Sequence, residues 1–435
     1  MFEVDDFQGY HYLHLIRKYF AEHSNLRALV KSQVMCGCSL LPMHGEQRAV
    51  YVLSNGQSSV FIGNSSCKNA WTCPKCAIRK ARNACMKIAG TIDYFERQGV
   101  VPVMMTLTVP HSVNVDVRIT VAALYSAWRK FLNRFSSRRK LKGGEPFGRF
   151  RQELDIKHWF FAAEATWGTH GWHPHFHILL FVPRRNLKYV ASWEGRLRAN
   201  WFRKVLMALG EEWRNCEVDE GKIQFLLHRI VEQRNSVSKP LFFSKDKLGK
   251  VVPIPAHAYI SGLTSGREGA AMEMSALHLK TAKQGHLTSW QVLEQASKCD
   301  AEQDAEGFEL WMSRYADLMI ATKYRTRFKS SPSLMKLAKS EIVKYINDVV
   351  RAKETKFKCV TWFRAGEWVA ISYAERSASV FATIGRLAVE AGEQAIFDYL
   401  RTLDIILEPR PANRFVEVVE LAANGAVDDD YLKIA

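Results

Sequence analysis

Apolar residues recur at helical spacing near the start of the chain. Tyr12, Leu13, Leu15, Ile16 and Phe20 predict a mainly helical segment over 1–35. The period then changes: AVYVLS and SSVFIG, on either side of Asn55-Gly56, predict a β-hairpin over 46–62. A basic amphipathic helix is expected over 77–98, ending near Gly99. A strand over 100–109 (VVPVMMTLTV) stops at Pro110, and a long helix follows over 114–137. Two further strand-like runs, WFFAAEAT (159–166) and HPHFHILLFV (173–182), are joined by a short turn between Gly168 and Gly171 and predict an antiparallel hairpin. Residues 188–214 read as helix, and 217–258 as irregular chain with at least one strand. Helices are expected over 270–298 and 305–322. Two more, 334–352 and 376–402, surround a strand pair, KCVTWF and EWVAIS, turned at Ala365-Gly366. Strands and helices mix without a regular βα alternation. That pattern predicts an α+β fold with an antiparallel sheet rather than a doubly wound one.

Composition narrows the function classes. The 435 residues are enough for two or three domains, and 47% hydrophobic with 24% charged residues excludes a disordered, collagen-like or coiled-coil chain. Lys and Arg number 61 against 44 Asp and Glu, a net +17 that favours a polyanionic partner such as nucleic acid. No apolar run of eighteen or more residues implies a membrane span. The first residues, MFEVDDFQGY, are acidic and lack the order of a signal peptide, so a soluble, cytoplasmic protein is expected. A Gly-x-x-x-x-Gly-Lys-Ser/Thr loop is absent from the sequence, which gives no sign of an ATPase.

Charge concentrates after the fourth predicted element. Between Arg129 and Arg151 nine Lys or Arg face one acid, Glu145. Arg129, Lys130, Arg134, Arg138, Arg139 and Lys140 are the candidate DNA contacts there. Trp128, Phe131, Phe135, Phe147 and Phe150 interleave with them, a mixture that suits phosphate binding and base stacking; the same rings at helical spacing would equally serve a core.

His175 and His177 carry the sharpest chemistry. In a strand, residues two apart project from one face, so the two imidazoles stand side by side while Phe176 points away. Glu164 is the single charged residue in the run 159–166, and pairing of the two strands brings it within reach. A His-x-His pair by itself is common among polar surface residues; the lone buried glutamate sharpens the metal reading, because an unpartnered buried carboxylate is costly. Two His and one Glu suit Mg²⁺, Mn²⁺ or another divalent ion with positions left for water and phosphate oxygens. His173 shares the face and is open as ligand or DNA contact.

Nine cysteines in a chain with no secretion signal argue against a disulfide framework. Cys73-Pro-Lys-Cys76 is half of a zinc site, with Cys67 six residues earlier. Cys36 or Cys38 is the expected fourth ligand, with Cys85 behind them. A redox pair would need a βαβ context that the pattern lacks. The structural zinc module would present Lys75, Arg79, Lys80 and Arg82, a surface suited to DNA.

His175-Phe176-His177-Ile178-Leu179-Leu180 resembles the signature of the HUH endonucleases, and EATWGTHGWHPHFHILLF (Glu164–Phe181) resembles the replication initiators of rolling-circle plasmids. The segments CKNAWTCPKC (Cys67–Cys76), MTLTVPH (Met105–His111), 277–296 and 309–319 are similar to that family in the same order. The resemblance spans about 60–325. It implies an HUH-type central antiparallel sheet flanked by helices, and a nicking-joining enzyme acting on single-stranded or hairpin origin DNA. In such an enzyme a tyrosine becomes linked to the 5′-phosphate and frees a 3′-hydroxyl primer, with Glu164, His175 and His177 holding Mg²⁺ or Mn²⁺. Host-helicase recruitment, origin specificity and oligomer contacts are the roles open to the C-terminal region.

The family's tyrosine lies after the histidine motif, with a Lys three or four residues on. Tyr259 in AHAYISGLTSGRE fits by position, but Gly262 and Leu263 stand where the Lys belongs; Arg267 or Lys280 would supply the cation. Tyr189 follows the motif too closely, Tyr315 reads as a helix-packing residue, and Tyr324 is followed by Arg325 and Arg327. The domains expected are 1–98, an N-terminal helix and zinc module; 99–325, the nicking domain; and 326–435, an α/β accessory region that matches no motif. The rival readings are a relaxase or single-strand transposase with the same chemistry, and a non-catalytic zinc-containing DNA-binding regulator.

Overall fold

The computed structural model describes residues 6–29, 38, 49–56, 59–132, 146–215, 225–229, 241–245, 251–255, 286–337, 340, 343, 358–374 and 377–407. In chain order, helices α1 (Asp6–Glu22) and α2 (Ser24–Leu29) precede strands β1 (Ala49–Ser54) and β2 (Ser59–Ile62). Helix α3 (Pro74–Arg97) leads into β3 (Val100–Thr108). Helices α4 (Val117–Leu132) and α5 (Pro146–Glu153) lead into β4 (Trp159–Gly168) and β5 (Gly171–Pro183). After 3-10 turns comes α6 (Glu194–Leu209), then β6 (Phe225–Arg229), β7 (Leu241–Lys245), β8 (Val251–Pro255) and β9 (Leu287–Thr288). Helices α7 (Ser289–Ala301) and α8 (Ala305–Ala321) precede β10 (Phe328–Ser330) and α9 (Leu334–Leu337). The last described elements are β11 (Lys358–Arg364), α10 (Ala365–Tyr373), α11 (Ser377–Glu390) and α12 (Glu393–Arg401). The chain is a mixed α+β fold whose C-terminal region is mainly helical.

The chain divides into two compact units. One comprises Met1–Lys80, Leu293–Ser313 and Asn347–Ala435. Its sheet has the order β11-β1-β2, all antiparallel, and Val50, Val52, Phe61, Phe363, Trp368, Phe381, Ile384 and Leu400 form its core. The expected KCVTWF–EWVAIS strand pair is corrected here. KCVTWF is β11, but its partner is β1, and EWVAIS lies in helix α10. The Glu367 carboxylate accepts from the Arg364 backbone N–H at 2.8 Å, which caps the chain into a helix where a strand turn was expected. The helix expected over 376–402 is split into α11 and α12 by Gly392, whose φ of +81° no helix accommodates.

The other unit comprises Ala81–Val292 and Arg314–Ile346. Its main sheet has the order β10-β4-β5-β3-β6, with β9 also paired to β4, and every pairing is antiparallel. The β4–β5 hairpin forms as its alternation predicts. Gly171, at φ +87°, completes the tight turn through Thr169 and His170. One face of the hairpin carries Trp159, Phe161 and Phe176, which meet Tyr125 and Trp128 of α4 ring to ring. On the opposite face, Phe181 meets Phe95 of α3 at 4.6 Å, and the polar residues of the site continue along the same strand.

Trp128, Phe131, Phe147 and Phe150 are buried in this core, each 3% exposed or less. Phe131 and Phe147 stack at 4.6 Å. Base stacking by these four rings is therefore excluded: closing a core on an amphipathic helix consumed them.

Candidate metal centres and active site

The two-residue turn sets the register of β4 on β5, and the register places Glu164 directly opposite His175. Cross-strand partners share a face, as do residues two apart, so Glu164, His175 and His177 project together. On the other side β3 sets Thr106 opposite His177 and Thr108 opposite His175. Glu164 Oε2 lies 3.4 Å from both His175 Nε2 and His177 Nε2. All three side chains are buried. Ligand atoms each about 2.1 Å from a shared ion, at a tetrahedral angle, stand ~3.4 Å apart.

Hydrogen bonds set which nitrogen faces the carboxylate. His175 Nδ1 lies 3.2 Å from the carbonyl oxygen of His173, which can only accept, so a hydrogen bond there takes the Nδ1 proton and turns Nε2 to Glu164. His177 Nδ1 lies 3.2 Å from Thr106 Oγ1, a hydroxyl able to accept from Nδ1–H in the same tautomer. With Nε2 unprotonated on both rings, two lone pairs and a carboxylate converging in a buried spot repel one another unless a cation lies between them. The donor set therefore fits a divalent ion.

The sequence gives no signal for two of the supporting residues. Thr106 reaches His177 only through the β3–β5 pairing. Arg327 is buried just before β10, and its carbonyl accepts from Ala163 N at 2.8 Å. Burial pulls its guanidinium down to about 10, while the charge of Glu164 and then Tyr125 act to raise it. Its place near Glu164 depends on β10 joining β4 from far along the chain.

Beyond Glu164, His175 and His177 the same face carries more imidazoles. His173 and His111 stack at 4.5 Å with planes 10° apart, and His173 stands 5.2 Å from His175. Burial pushes His111 down to about 4, against the Val109 carbonyl, which raises it. Burial, followed by His175 and His111, holds His173 well below the usual imidazole range.

A second donor set lies in the first unit. Cys38, Cys67, Cys73 and Cys76 converge, with Sγ–Sγ separations of 3.6 Å (Cys38–Cys76), 3.6 Å (Cys67–Cys76) and 3.5 Å (Cys73–Cys38). Four sulfurs about 2.3 Å from a tetrahedral zinc stand ~3.8 Å apart, close to these values. Asn69 builds the approach: its Oδ1 accepts from the Trp71 and Thr72 N–H groups at 2.8 and 3.0 Å. Pro74 then opens α3 and puts Cys76 in its first turn. Arg79 donates to Ser66 Oγ at 2.6 Å, which leaves the Ser66 proton for Cys76 Sγ at 3.3 Å. Hydrogen bonds from Cys38, Cys67 and Cys73, then Ser66, hold the Cys76 thiol well below its usual range. Cys38 fills the fourth position, and Cys85 is buried outside the set.

Cys36, Tyr259, Arg134, Arg138, Arg139, Lys140, Arg267 and Lys280 lie outside the described residues. Arg129 is exposed and Lys130 half-buried, both in the last turn of α4. Among the described tyrosines after the motif, Tyr315 is buried on α8, while Tyr189 and Tyr324 are exposed.

Residues 59–193 match the family model of a replication protein, Rep_1. The match is consistent with a rolling-circle replication initiator of the HUH superfamily. The matched segment takes in Glu164, His175 and His177 and three of the four clustered cysteines; Cys38 precedes it. No curated protein and no solved structure matches the chain. Among the described residues, no helix is long and apolar enough to cross a membrane.

Proposed function

We propose that this protein initiates plasmid replication of the rolling-circle kind, by nicking and rejoining one DNA strand at an origin through a tyrosine nucleophile. The observation that carries the reading is the convergence of Glu164 Oε2 and two imidazole Nε2 atoms, at 3.4 Å each, inside the segment that matches the replication-protein family. Glu164, His175 and His177 would hold the ion, and a divalent cation bound there supplies Lewis-acid polarisation of a phosphate.

Tyr259 is the proposed nucleophile. Its phenol oxygen attacks the phosphorus, the P–O3′ bond breaks, and the phenol proton ends on the departing 3′ oxygen. The products are a 5′-phosphotyrosine and a 3′-hydroxyl primer; attack by a 3′-hydroxyl on the phosphotyrosine reverses the step and rejoins the strand. Arg267 or Lys280 would offset the charge that develops on the phosphate. The exposed Arg129, with Lys130, Arg134, Arg138, Arg139 and Lys140, would track the strand's backbone, and the four-cysteine module would hold a structural zinc beside further cations. The net +17 suits an origin DNA partner.

The test is incubation of the full-length protein with Mn²⁺ and a supercoiled plasmid carrying the DNA that flanks its gene. A nicked circle bearing covalently bound protein is expected from wild type. Tyr259→Phe should bind the plasmid and form no adduct. An adduct formed by Tyr259→Phe moves the nucleophile to another tyrosine. Metal-independent binding without any nick would leave the zinc-containing regulator as the reading.

A further inference from the structure

We propose that His111 and His173 form a stacking step for a nucleobase, seating the nucleotide that adjoins the phosphate at the Glu164–His175–His177 centre. The inference rests on the nicking reading above and adds a base-binding position to it.

Four imidazoles make a continuous row on one face of the sheet. His111 stacks on His173 at 4.5 Å, His173 lies 5.2 Å from His175, and His175 lies 4.9 Å from His177. The inner two point Nε2 at Glu164. The outer two do something else. Their planes are within 10° of parallel, and rings stacked that way cannot aim two nitrogens at one ion. Among the described residues neither belongs to a group of three ligand-type side chains. The pair offers a flat π surface instead.

That surface is both accessible and held. Each of the two rings is half-buried. Among the described residues His173 is the one ring in contact with His111, so the second face of His111 has no ring against it. His111 follows Pro110, which restricts the backbone, and its Nδ1 lies 3.4 Å from the Val109 carbonyl oxygen. His173 sits inside β5, opposite Thr166 of β4. A platform fixed in advance loses little conformational entropy when a base settles on it.

The lining selects a base over a phosphate. Register places Thr106, Thr108, Ala162, Thr166 and Thr288 around the four histidines on this part of the sheet, His170 and His286 lie close to His111, and Glu164 is the one acid among them. None of these residues is a lysine or arginine, and Arg327, whose charge reaches Glu164, is itself buried. A backbone phosphate would need such a cation or the ion at the triad; an uncharged ring needs a π partner. From His175 to His111 the row takes two ring steps, 5.2 Å and 4.5 Å between centroids, a reach on the order of one to two sugar–phosphate units.

The experiment measures binding of the full-length protein, with Mn²⁺, to a short fluorescein-labelled oligothymidylate and to the same chain made of abasic residues. His111→Ala and His111→Leu should weaken oligothymidylate binding about tenfold, and His111→Phe should stay within about twofold of wild type. Wild type and all three variants should bind the abasic chain alike, with unchanged Mn²⁺ affinity. Equal weakening on both chains, or none on oligothymidylate, overturns the stacking step and leaves the nicking reading standing. Wild type that binds neither chain overturns both.

Discussion

Glu164 and His175 stand directly opposite each other on β4 and β5, and the carboxylate Oε2 lies 3.4 Å from the imidazole Nε2. The same oxygen lies 3.4 Å from His177 Nε2, so a single carboxylate atom organises the centre. Replacing it tests whether the three side chains act as one ligand set.

Glu164→Gln should abolish Mn²⁺ binding measured by titration calorimetry. In wild type, Mn²⁺ at about a hundred times its Kd should stabilise the fold by ~2.7 kcal/mol, seen as a rise in Tm. The rise should be absent in Glu164→Gln and in His175→Ala. A Tm that climbs equally with Mn²⁺ in wild type and Glu164→Gln would place the ion elsewhere.

Thr106 Oγ1 lies 3.2 Å from His177 Nδ1, and by accepting from Nδ1–H it would hold the Nε2 lone pair toward Glu164. Thr106→Val keeps the shape and removes the acceptor. It should weaken Mn²⁺ binding by roughly 10- to 100-fold, with Thr106→Ser close to wild type. Calorimetry on the two variants checks the pair; equal affinities would show that packing alone orients the ring.

The cysteine set makes a prediction about metal content. Purified wild type should carry about one zinc per chain by elemental mass spectrometry. Cys38→Ser and Cys73→Ser should lose it, whereas Cys36→Ser and Cys85→Ser should keep it. Ser66→Ala removes the hydroxyl at 3.3 Å from Cys76 Sγ and should release zinc to a chelator about tenfold more readily.

His111 gives the pH dependence a sign. Its folded-state value of about 4 lies below the ordinary imidazole value of about 6.5, so between those limits the unfolded chain takes up more protons. Its contribution to stability is present at neutral pH and falls as pH drops from about 6.5 toward 4. Urea unfolding at pH 7, 5.5 and 4.5 should show a smaller acid loss for His111→Phe than for wild type. Parallel losses in the two proteins would assign the acid sensitivity to other groups.

The clustering of Glu164, His175 and His177 was legible in the chain because two local rules sufficed. Alternation sets which side chains share a face, and a two-residue turn sets the register, so Glu164, His175 and the turn at Gly171 are linked by counting alone. The Cys73-Pro-Lys-Cys76 half-site was legible for the same reason, being one turn entering one helix. Where a local signal had two meanings, the expectation failed: EWVAIS reads as strand by alternation, yet the Glu367 carboxylate on the Arg364 N–H starts a helix. The interleaved rings of 128–150 fit a stacking surface equally well until α4 and α5 buried four of them.

The sequence by itself determined the hairpin, the facing of its histidines and glutamate, the cysteine turn and the cationic excess, since each follows from spacing over a few residues or from composition. Only the tertiary structure decided that Cys38 completes the sulfur set, that Thr106 orients His177, that Arg327 lies buried near Glu164 and that His111 stacks on His173. Each of those contacts joins residues brought together by strand pairing or chain closure over a long stretch of sequence. No local period encodes such a meeting; it arises when the sheets form and their faces close.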